Sequence, residues 1–240
     1  MKKIGLIGGL GYPSTITYYE LINRLGNQYL GGVRSPRIVL ESLDFQDIAD
    51  WLTADDRAAA TGELRAAAAR LVAAGAELIA MCCNTVHKFA PEVAAGLPVP
   101  LVNICECTAE HAQARGFGQV ALLGSAYSME ERFYHVEFER RGIVSRVPGP
   151  DERRFMQTAI ETELCVGTLR DETRTGFIEI ARRQIELGAQ ALALACTEIP
   201  LVIRADDFAV PVIDTVAVHA AAIVARAACG VAQRVGASAE

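Results

Sequence analysis

Two cysteines, Cys83 and Cys196, occupy equivalent positions in two related parts of the sequence. Each lies eight residues after the glycine of a Gly-Ala pair, Gly75 and Gly188, and closes an apolar run. A thiolate can remove a proton from carbon and a thiol can supply one, so two cysteines that reach one substrate can transfer a proton across it. The pattern therefore points to proton transfer at a site that was built twice.

The repeat extends well beyond the cysteines. Residues 3–8 match residues 119–124, a tyrosine follows ten residues after the last glycine of each segment (Tyr18 and Tyr134), and residues 99–103 match residues 210–214. The offsets of 116, 113 and 111 residues are nearly constant. Because solenoid repeats run only roughly 20 to 50 residues, this repeat indicates a duplicated domain.

The elements that must position the cysteines are predicted as strands and helices in alternation. Apolar runs predict strands at residues 4–8, 38–40, 78–81, 101–104, 119–123, 143–147, 190–195 and 210–213. Helical spacing predicts helices at residues 14–28, 61–74, 87–95, 129–141, 151–166, 171–187 and 215–228. Alternation of this kind implies βαβ units and parallel pairing.

We therefore expect an α/β fold of two similar domains related by pseudo-twofold symmetry. Each would be a mostly parallel sheet flanked by helices, with the active site in the interdomain cleft. The expected boundaries are residues 1–104 plus 214–240 for the first domain and 105–213 for the second. The final helix, residues 215–228, is expected to pack back on the first domain.

Both cysteines fall where a strand gives way to a helix, and ligands of open α/β sheets bind at the carboxyl ends of the strands. Helix N-termini offer free N–H groups and the positive end of a dipole. Such a position can hold a carboxylate and can lower a thiol pKa from about 8.5 to between ~3.5 and ~7.5. If the two domains face each other across the pseudo-twofold axis, the two sulfurs point at a shared cleft.

Composition excludes several other classes of protein. The chain has 240 residues, of which 51% are hydrophobic and 22% are charged. Its net charge is -6 and the sequence has no run of like charges, so neither nucleic acid nor a membrane is expected as a partner. No apolar stretch reaches the ~18 residues that span a bilayer. Seven cysteines without a regular spacing, and no secretory signal, predict a reducing, cytoplasmic location. The scattered cysteines and four histidines predict no metal site.

Several motifs resemble those of the pyridoxal-independent aspartate/glutamate racemases, especially their broad-specificity amino-acid racemase branch. The segment from Cys83 to His87 resembles the CNTxH motif, and the segment from Cys196 to Ile199 resembles the GCTE motif. Similar segments cover nearly the whole chain: residues 7–10, Ser14-Thr15, Tyr18-Tyr19, 43–45, 128–131, Phe133-Tyr134, 163–165, 211–215 and His219.

The resemblance implies a two-base mechanism without a cofactor, in which one cysteine removes the Cα proton and the other reprotonates the opposite face. It implies that the partner is a small-molecule substrate, an amino acid, and that the protein is a homodimer. It also implies contacts to the α-carboxylate and ammonium from Asn84, Thr85, Thr197 and Glu198, with Leu10, Ser14 and Thr15 lining the cleft.

Two stretches depart from the strict aspartate racemases, in which an arginine and a lysine clamp the distal carboxylate. The corresponding stretches here, residues 43–48 and 163–167, contain no base, and an unpaired buried carboxylate is costly. Leu52 also replaces a residue that tends to be polar in the broad-specificity branch. Aspartate or glutamate leads as the expected substrate, followed by less polar amino acids. Alternative sources of a cation are Arg34, Arg57, Arg132, Arg154 and Arg170.

Other functions remain open on the sequence. Hydantoin racemase, maleate isomerase and arylmalonate decarboxylase share the implied fold, and a non-catalytic amino-acid-binding protein could keep the cleft. The Gly9-x-Gly11-x-x-Ser14 segment lacks the third glycine of a dinucleotide fingerprint. This absence makes a Rossmann dehydrogenase a weak alternative. A pyridoxal enzyme needs a suitably placed lysine, and the chain has only Lys2, Lys3 and Lys88.

Overall fold

The computed structural model describes residues 1–229, without the side chain of Val166. The chain divides into two compact units: residues 1–103 together with the described residues from His219 onward form the first, and residues 104–218 form the second. Residues 230–240, which the sequence assigns to the first domain, lie outside the described residues.

The first unit contains a parallel sheet with helices that connect its strands. Its elements, in chain order, are β1 (Ile4–Gly8), α1 (Tyr12–Leu30), β2 (Ile38–Ser42), α2 (Phe45–Thr53), α3 (Arg57–Ala73), β3 (Leu78–Met81), a 3₁₀ helix (Thr85–Phe89), α4 (Ala90–Ala94) and β4 (Leu101–Val102).

The second unit repeats this plan and begins with a helix. Its elements are α5 (Ile104–Ala114), β5 (Gln119–Gly124), α6 (Ala126–Glu130), α7 (Arg132–Glu139), β6 (Val144–Arg146), α8 (Pro150–Thr162), a 3₁₀ helix (Leu164–Val166), α9 (Asp171–Glu186), β7 (Ala191–Ala195), α10 (Ile199–Val202), a 3₁₀ helix (Ala205–Asp207) and β8 (Val212–Asp214). Helix α11 (Thr215–Ala228) follows and continues into the first unit.

The two sheets have the same order of strands. The first sheet runs β2-β1-β3-β4 and the second β6-β5-β7-β8, and every pair is parallel. The central strands β1, β3 and β7 are buried along their whole length, as expected for parallel strands covered by helices on both faces. The predicted α/β class and its two parallel sheets are confirmed.

The structure differs from the predicted elements at four helices. Helix α2 was not predicted, although the Asp44 carboxylate accepts the Gln46 N–H as an N-cap and Ile48 is fully buried. Helix α5 was also missed. The helix predicted at 129–141 is two helices, α6 and α7, and that predicted at 87–95 is a 3₁₀ turn followed by α4.

The chain passes from the first unit to the second after residue 103 and returns to the first unit after residue 218. The return lies within α11 and not before it. Residues 214–218, which were predicted to belong to the first domain, belong to the second unit. Asp214 ends β8, the Thr215 hydroxyl donates to the Leu194 carbonyl at 2.7 Å, and Val218 packs against the core of the second unit. These contacts hold the first turn of the helix to the second sheet.

Candidate active site

The first candidate turn follows β3. Cys82 is buried at its start, Cys83 is half-buried, and Asn84 is buried ahead of the 3₁₀ helix that begins at Thr85. Leu10, in the turn after β1, is buried in the same hydrophobic cluster against which Cys83 packs. The structure therefore brings four predicted site residues, Leu10, Cys83, Asn84 and Thr85, to the carboxyl ends of two adjacent strands.

Ser14 and Thr15 hold this end of the sheet through buried hydrogen bonds. The Ser14 hydroxyl donates to the Cys82 carbonyl with 2.6 Å between the oxygens, and the Thr15 hydroxyl accepts the Gly9 N–H at 2.9 Å. Gly9 has a φ of 77°, and a Cβ there would collide with the Leu43 carbonyl oxygen. Both hydroxyls thus fix the backbone of the loops that carry Leu10 and Cys83.

Two buried histidines lie behind the first turn. His87 Nδ1 lies 2.7 Å from the Cys83 carbonyl oxygen, so this nitrogen carries the proton, while the buried Nε2 has no hydrogen-bond partner among residues 1–229. His219 Nε2 donates to the Val102 carbonyl at 2.9 Å, which makes Nδ1 the acceptor of the Tyr18 hydroxyl at 2.7 Å. The two rings meet edge to face with centroids 5.4 Å apart.

Both imidazoles are held neutral. Burial lowers the pKa of His87 to about 4. Burial also lowers the pKa of His219 well below its usual value, and the neighbouring His87 lowers it further. Sequence reasoning noted Tyr18 in the repeat and His87 and His219 in motifs, but it missed the Tyr18–His219 contact. The two residues are 201 positions apart, and local periodicity carries no information about such a pairing.

The second candidate turn follows β7. Cys196 is buried, Thr197 and Glu198 are half-buried, and the four-residue helix α10 begins at Ile199. The Cys196 thiol donates to Glu198 Oε2 at 3.0 Å, and the Thr197 hydroxyl donates to the same oxygen at 2.7 Å. The structure thus brings together all three residues that the sequence selected in this turn.

The lowering of a thiol pKa that a helix N-terminus can produce does not occur at Cys196. Burial raises the pKa of this thiol well above its usual value, and the charge of Glu198 and its hydrogen bond to the thiol raise it further. The helix that follows has only four residues, so its dipole is too short to offset burial and an adjacent carboxylate. Cys196 is therefore held as a protonated thiol.

In each of the two stretches without a base, residues 43–48 and 163–167, a carboxylate forms a hydrogen bond within the protein. Asp44 caps α2, and Glu163 accepts the Thr173 hydroxyl at 2.7 Å. Among the arginines proposed as substitute cations, four are each paired with a carboxylate: Arg57 with Glu92, Arg132 with Glu139, Arg154 with Asp151 and Arg170 with Glu163. Recruitment of any of these four to a substrate would exchange one carboxylate partner for another.

Two other kinds of site are absent from residues 1–229. There, no group of three or more histidine, cysteine, aspartate or glutamate side chains is arranged to hold a metal ion. The helices of this part of the chain are too short or too polar to cross a membrane.

The sequence model of the Asp/Glu/Hydantoin racemase family matches residues 7–223, which is most of the chain. The chain belongs to this family. A candidate Asp/Glu racemase from Yersinia pestis is 38% identical and superposes with a TM-score of 0.90, over 95% of this chain and 99% of that one. An aspartate racemase homologue from Pyrococcus horikoshii OT3 is 30% identical with a TM-score of 0.83, over 95% and 100% of the two chains.

A third structure, the aspartate racemase of Picrophilus torridus, shares the fold at 24% identity and a TM-score of 0.75, over 95% of this chain and 94% of that one. Membership of the racemase family confirms the resemblance seen in the motifs and places the chain among isomerases. The family model itself spans amino-acid and hydantoin racemases, so the substrate is a separate question.

Proposed function

We propose that the protein racemises an amino acid without pyridoxal phosphate, with Cys83 and Cys196 as the acid/base pair. The observation that carries the proposal is the equivalence of the two turns. Each cysteine follows the third strand of a four-stranded parallel sheet, and the strand orders of the sheets are identical. Within a racemase family, a cysteine in both positions supplies one acid/base group for each face of a planar intermediate.

The proposed reaction moves one proton in and one proton out. One cysteine, as a thiolate, takes the Cα proton while the C–H electron pair is left on the substrate as a carbanion. The other cysteine, as a thiol, gives its proton to the opposite face of Cα. The pair begins with one proton and ends with one proton, carried by the other sulfur, so the two thiols act as one titrating unit.

The proposed substrate contacts are those that the family resemblance implies. Asn84, Thr85, Thr197 and Glu198 adjoin the cysteines and would bind the α-carboxylate and ammonium, with Leu10, Ser14 and Thr15 forming the wall behind them. The Ser14 and Thr15 hydroxyls bond backbone groups, so their proposed contribution is to shape this wall.

Aspartate or glutamate is the first proposed substrate. The Yersinia pestis relative, at 38% identity, is described as an Asp/Glu racemase, and the Pyrococcus horikoshii relative, at 30% identity, as an aspartate racemase homologue. The ion-paired arginines favour testing less polar amino acids in the same panel, since a second carboxylate would have to displace an existing partner. A homodimer is also part of the proposal, and sedimentation of the purified protein measures it.

The test is Cα proton exchange. Incubation in D2O with single-enantiomer amino acids should place deuterium at Cα and generate the opposite enantiomer, without added pyridoxal phosphate. Cys83→Ala and Cys196→Ala should each lower the rate by about 10²-fold or more, because each removes one acid/base group. Cys229→Ala, at the exposed cysteine that follows α11, is the matched control and should retain the full rate.

Two outcomes would refute the proposal: no amino acid exchanges its Cα proton, or both active-site alanine variants remain fully active. The same panel should include a 5-substituted hydantoin, maleate and an arylmalonate. Turnover of one of these in place of every amino acid would assign the cysteines to another reaction of the same fold.

A further inference from the structure

The two cysteine turns differ at one chemically decisive position. Aligned on their cysteines, Asn84 corresponds to Thr197 and Thr85 corresponds to Glu198. The second turn therefore carries a carboxylate two residues after its cysteine, where the first turn carries an uncharged hydroxyl. A site that was duplicated has become electrostatically unequal in its two halves.

The carboxylate of Glu198 is held against its own cysteine. One oxygen, Oε2, accepts both the Cys196 thiol at 3.0 Å and the Thr197 hydroxyl at 2.7 Å. Thr197 therefore orients the carboxylate, and the carboxylate in turn orients the S–H group. An acceptor that carries a full negative charge favours the thiol and opposes the thiolate, because a second anion at that distance would be repelled.

We propose that Glu198 is a positioning residue that keeps the shared proton on Cys196 in the resting enzyme, so that Cys196 begins the cycle as the acid and Cys83 as the base. This inference deepens the proposed function and rests on it for its kinetic part. Its thiol chemistry can be measured without any substrate.

The surroundings of Cys196 support this direction. Two titratable groups of the second unit act on the thiol, Glu198 and, more weakly, Cys165 in the 3₁₀ helix after α8, and both raise its pKa. The backbone N–H of Glu198 lowers the thiol pKa, but by less than the Glu198 carboxylate raises it. Burial acts in the same sense, since the thiol lies within the core cluster of the second unit. Removal of the Glu198 charge leaves burial in place, so it should lower the thiol pKa without bringing it to the value of an exposed cysteine.

The consequence is a directional cycle. In the resting form, the enantiomer whose Cα–H bond faces Cys83 loses its proton to that sulfur. The Cys196 S–H bond then breaks as the new C–H bond forms on the other face. The enzyme is left with a thiol at Cys83 and a thiolate beside Glu198, and proton exchange with solvent restores the resting form.

The direct test is the pH dependence of alkylation. Iodoacetamide modification of Cys196, followed by peptide mass spectrometry, should give a midpoint above the ~8.5 of an ordinary thiol in the natural protein. Glu198→Gln should move this midpoint down by about one pH unit and raise the rate at pH 7.5 by about tenfold. Glu198→Thr, which recreates the first turn, should act in the same direction.

Matched controls separate charge from loosened packing. Glu186→Gln removes one charge from an exposed position of α9 and should leave the midpoint unchanged. The buried thiols of Cys82 and Cys105 report any opening of the fold and should stay unreactive in every variant. An ordinary midpoint in the natural protein, or an unchanged midpoint in both Glu198 variants, would overturn the inference.

The kinetic test uses the two enantiomers of whichever amino acid the panel identifies. Because the equilibrium constant of racemisation is one, kcat/KM is equal in both directions, but kcat and KM need not be. We expect kcat and KM both to be lower for the enantiomer that Cys83 deprotonates. In Glu198→Thr, the KM values of the two enantiomers should be several-fold closer together. Failure of the panel would remove the racemase proposal and leave the alkylation result standing, whereas active enzyme with an unshifted midpoint would remove only the role of Glu198.

Discussion

At the scale of single residues, duplication preserved the cysteines and changed what surrounds them. The sequence was sufficient to select Cys83 and Cys196, since equal spacing and equal apolar runs mark them in both halves. It was insufficient to predict the protonation state of Cys196. That state depends on whether the side chain of Glu198 turns toward the sulfur, which a side-chain rotamer decides and a motif does not.

The buried hydroxyl of Ser14 offers a test of how the first turn is held. Ser14→Ala leaves the Cys82 carbonyl without its 2.6 Å donor, and we expect a loss of about 1 to 3 kcal/mol in the free energy of unfolding, measured with denaturant. Thr17→Ala is the control on the same helix, because its exposed hydroxyl bonds the Pro13 carbonyl within the first turn of that helix. If Ser14→Ala and Thr17→Ala lower the free energy of unfolding equally, the buried Ser14 hydrogen bond does not contribute more than an exposed one.

At the scale of elements, the first unit is tied together by polar contacts that no local pattern predicts. The strands and long helices were predicted because apolar runs and helical spacing are local signals. Helices α2 and α5 were missed, although α2 begins after an N-cap that Asp44 supplies. The ring pair of His87 and His219 joins the turn after β3 to α11, and only the folded chain brings these elements together.

The neutral histidines should make the first unit acid-sensitive. The folded pKa of His87 is about 4, below its unfolded value of about 6.5, so the stability that it contributes is complete above pH 6.5 and is lost as the pH falls toward 4. The full effect is about 3 kcal/mol for this residue. In denaturant titrations between pH 7 and 4, His87→Gln should therefore lose less stability than the natural protein.

The comparison variant for this experiment is His111→Gln, on α5 in the second unit, where the imidazole is only partly buried. It should retain nearly the full acid sensitivity of the natural protein. A pH dependence that is the same in all three proteins would contradict the assignment of a buried, neutral His87.

At the scale of the whole molecule, the chain passes from one unit to the other just after the last strand of each sheet. Helix α5 follows β4 of the first unit and belongs to the second, and most of α11 follows β8 of the second unit and belongs to the first. The two halves have thus exchanged their final helices. In α11, Ala220, Ile223, Val224 and Ala227 are all buried, and the Lys2 N–H donates to the Ala227 carbonyl at 2.8 Å.

This exchange predicts where damage from a core mutation will appear. Ile223→Ala, close to the C-terminus, should cost about 2 to 5 kcal/mol and should increase hydrogen exchange in β1 and β3 of the first unit. Ile213→Ala in β8, only ten positions earlier, should instead increase exchange in β5 and β7. Increased exchange in the same unit for both variants would contradict the division within α11.

The place of α11 also sets the order in which a ribosome can deliver finished parts. All strands of the first sheet have been synthesised by Val102, yet the helix that completes their unit is made only after the entire second unit. The second unit, with its own first helix at Ile104, has all its parts by Val218. The half of the protein that is translated first is therefore the last to be completed, because its final helix is synthesised more than a hundred residues after its last strand.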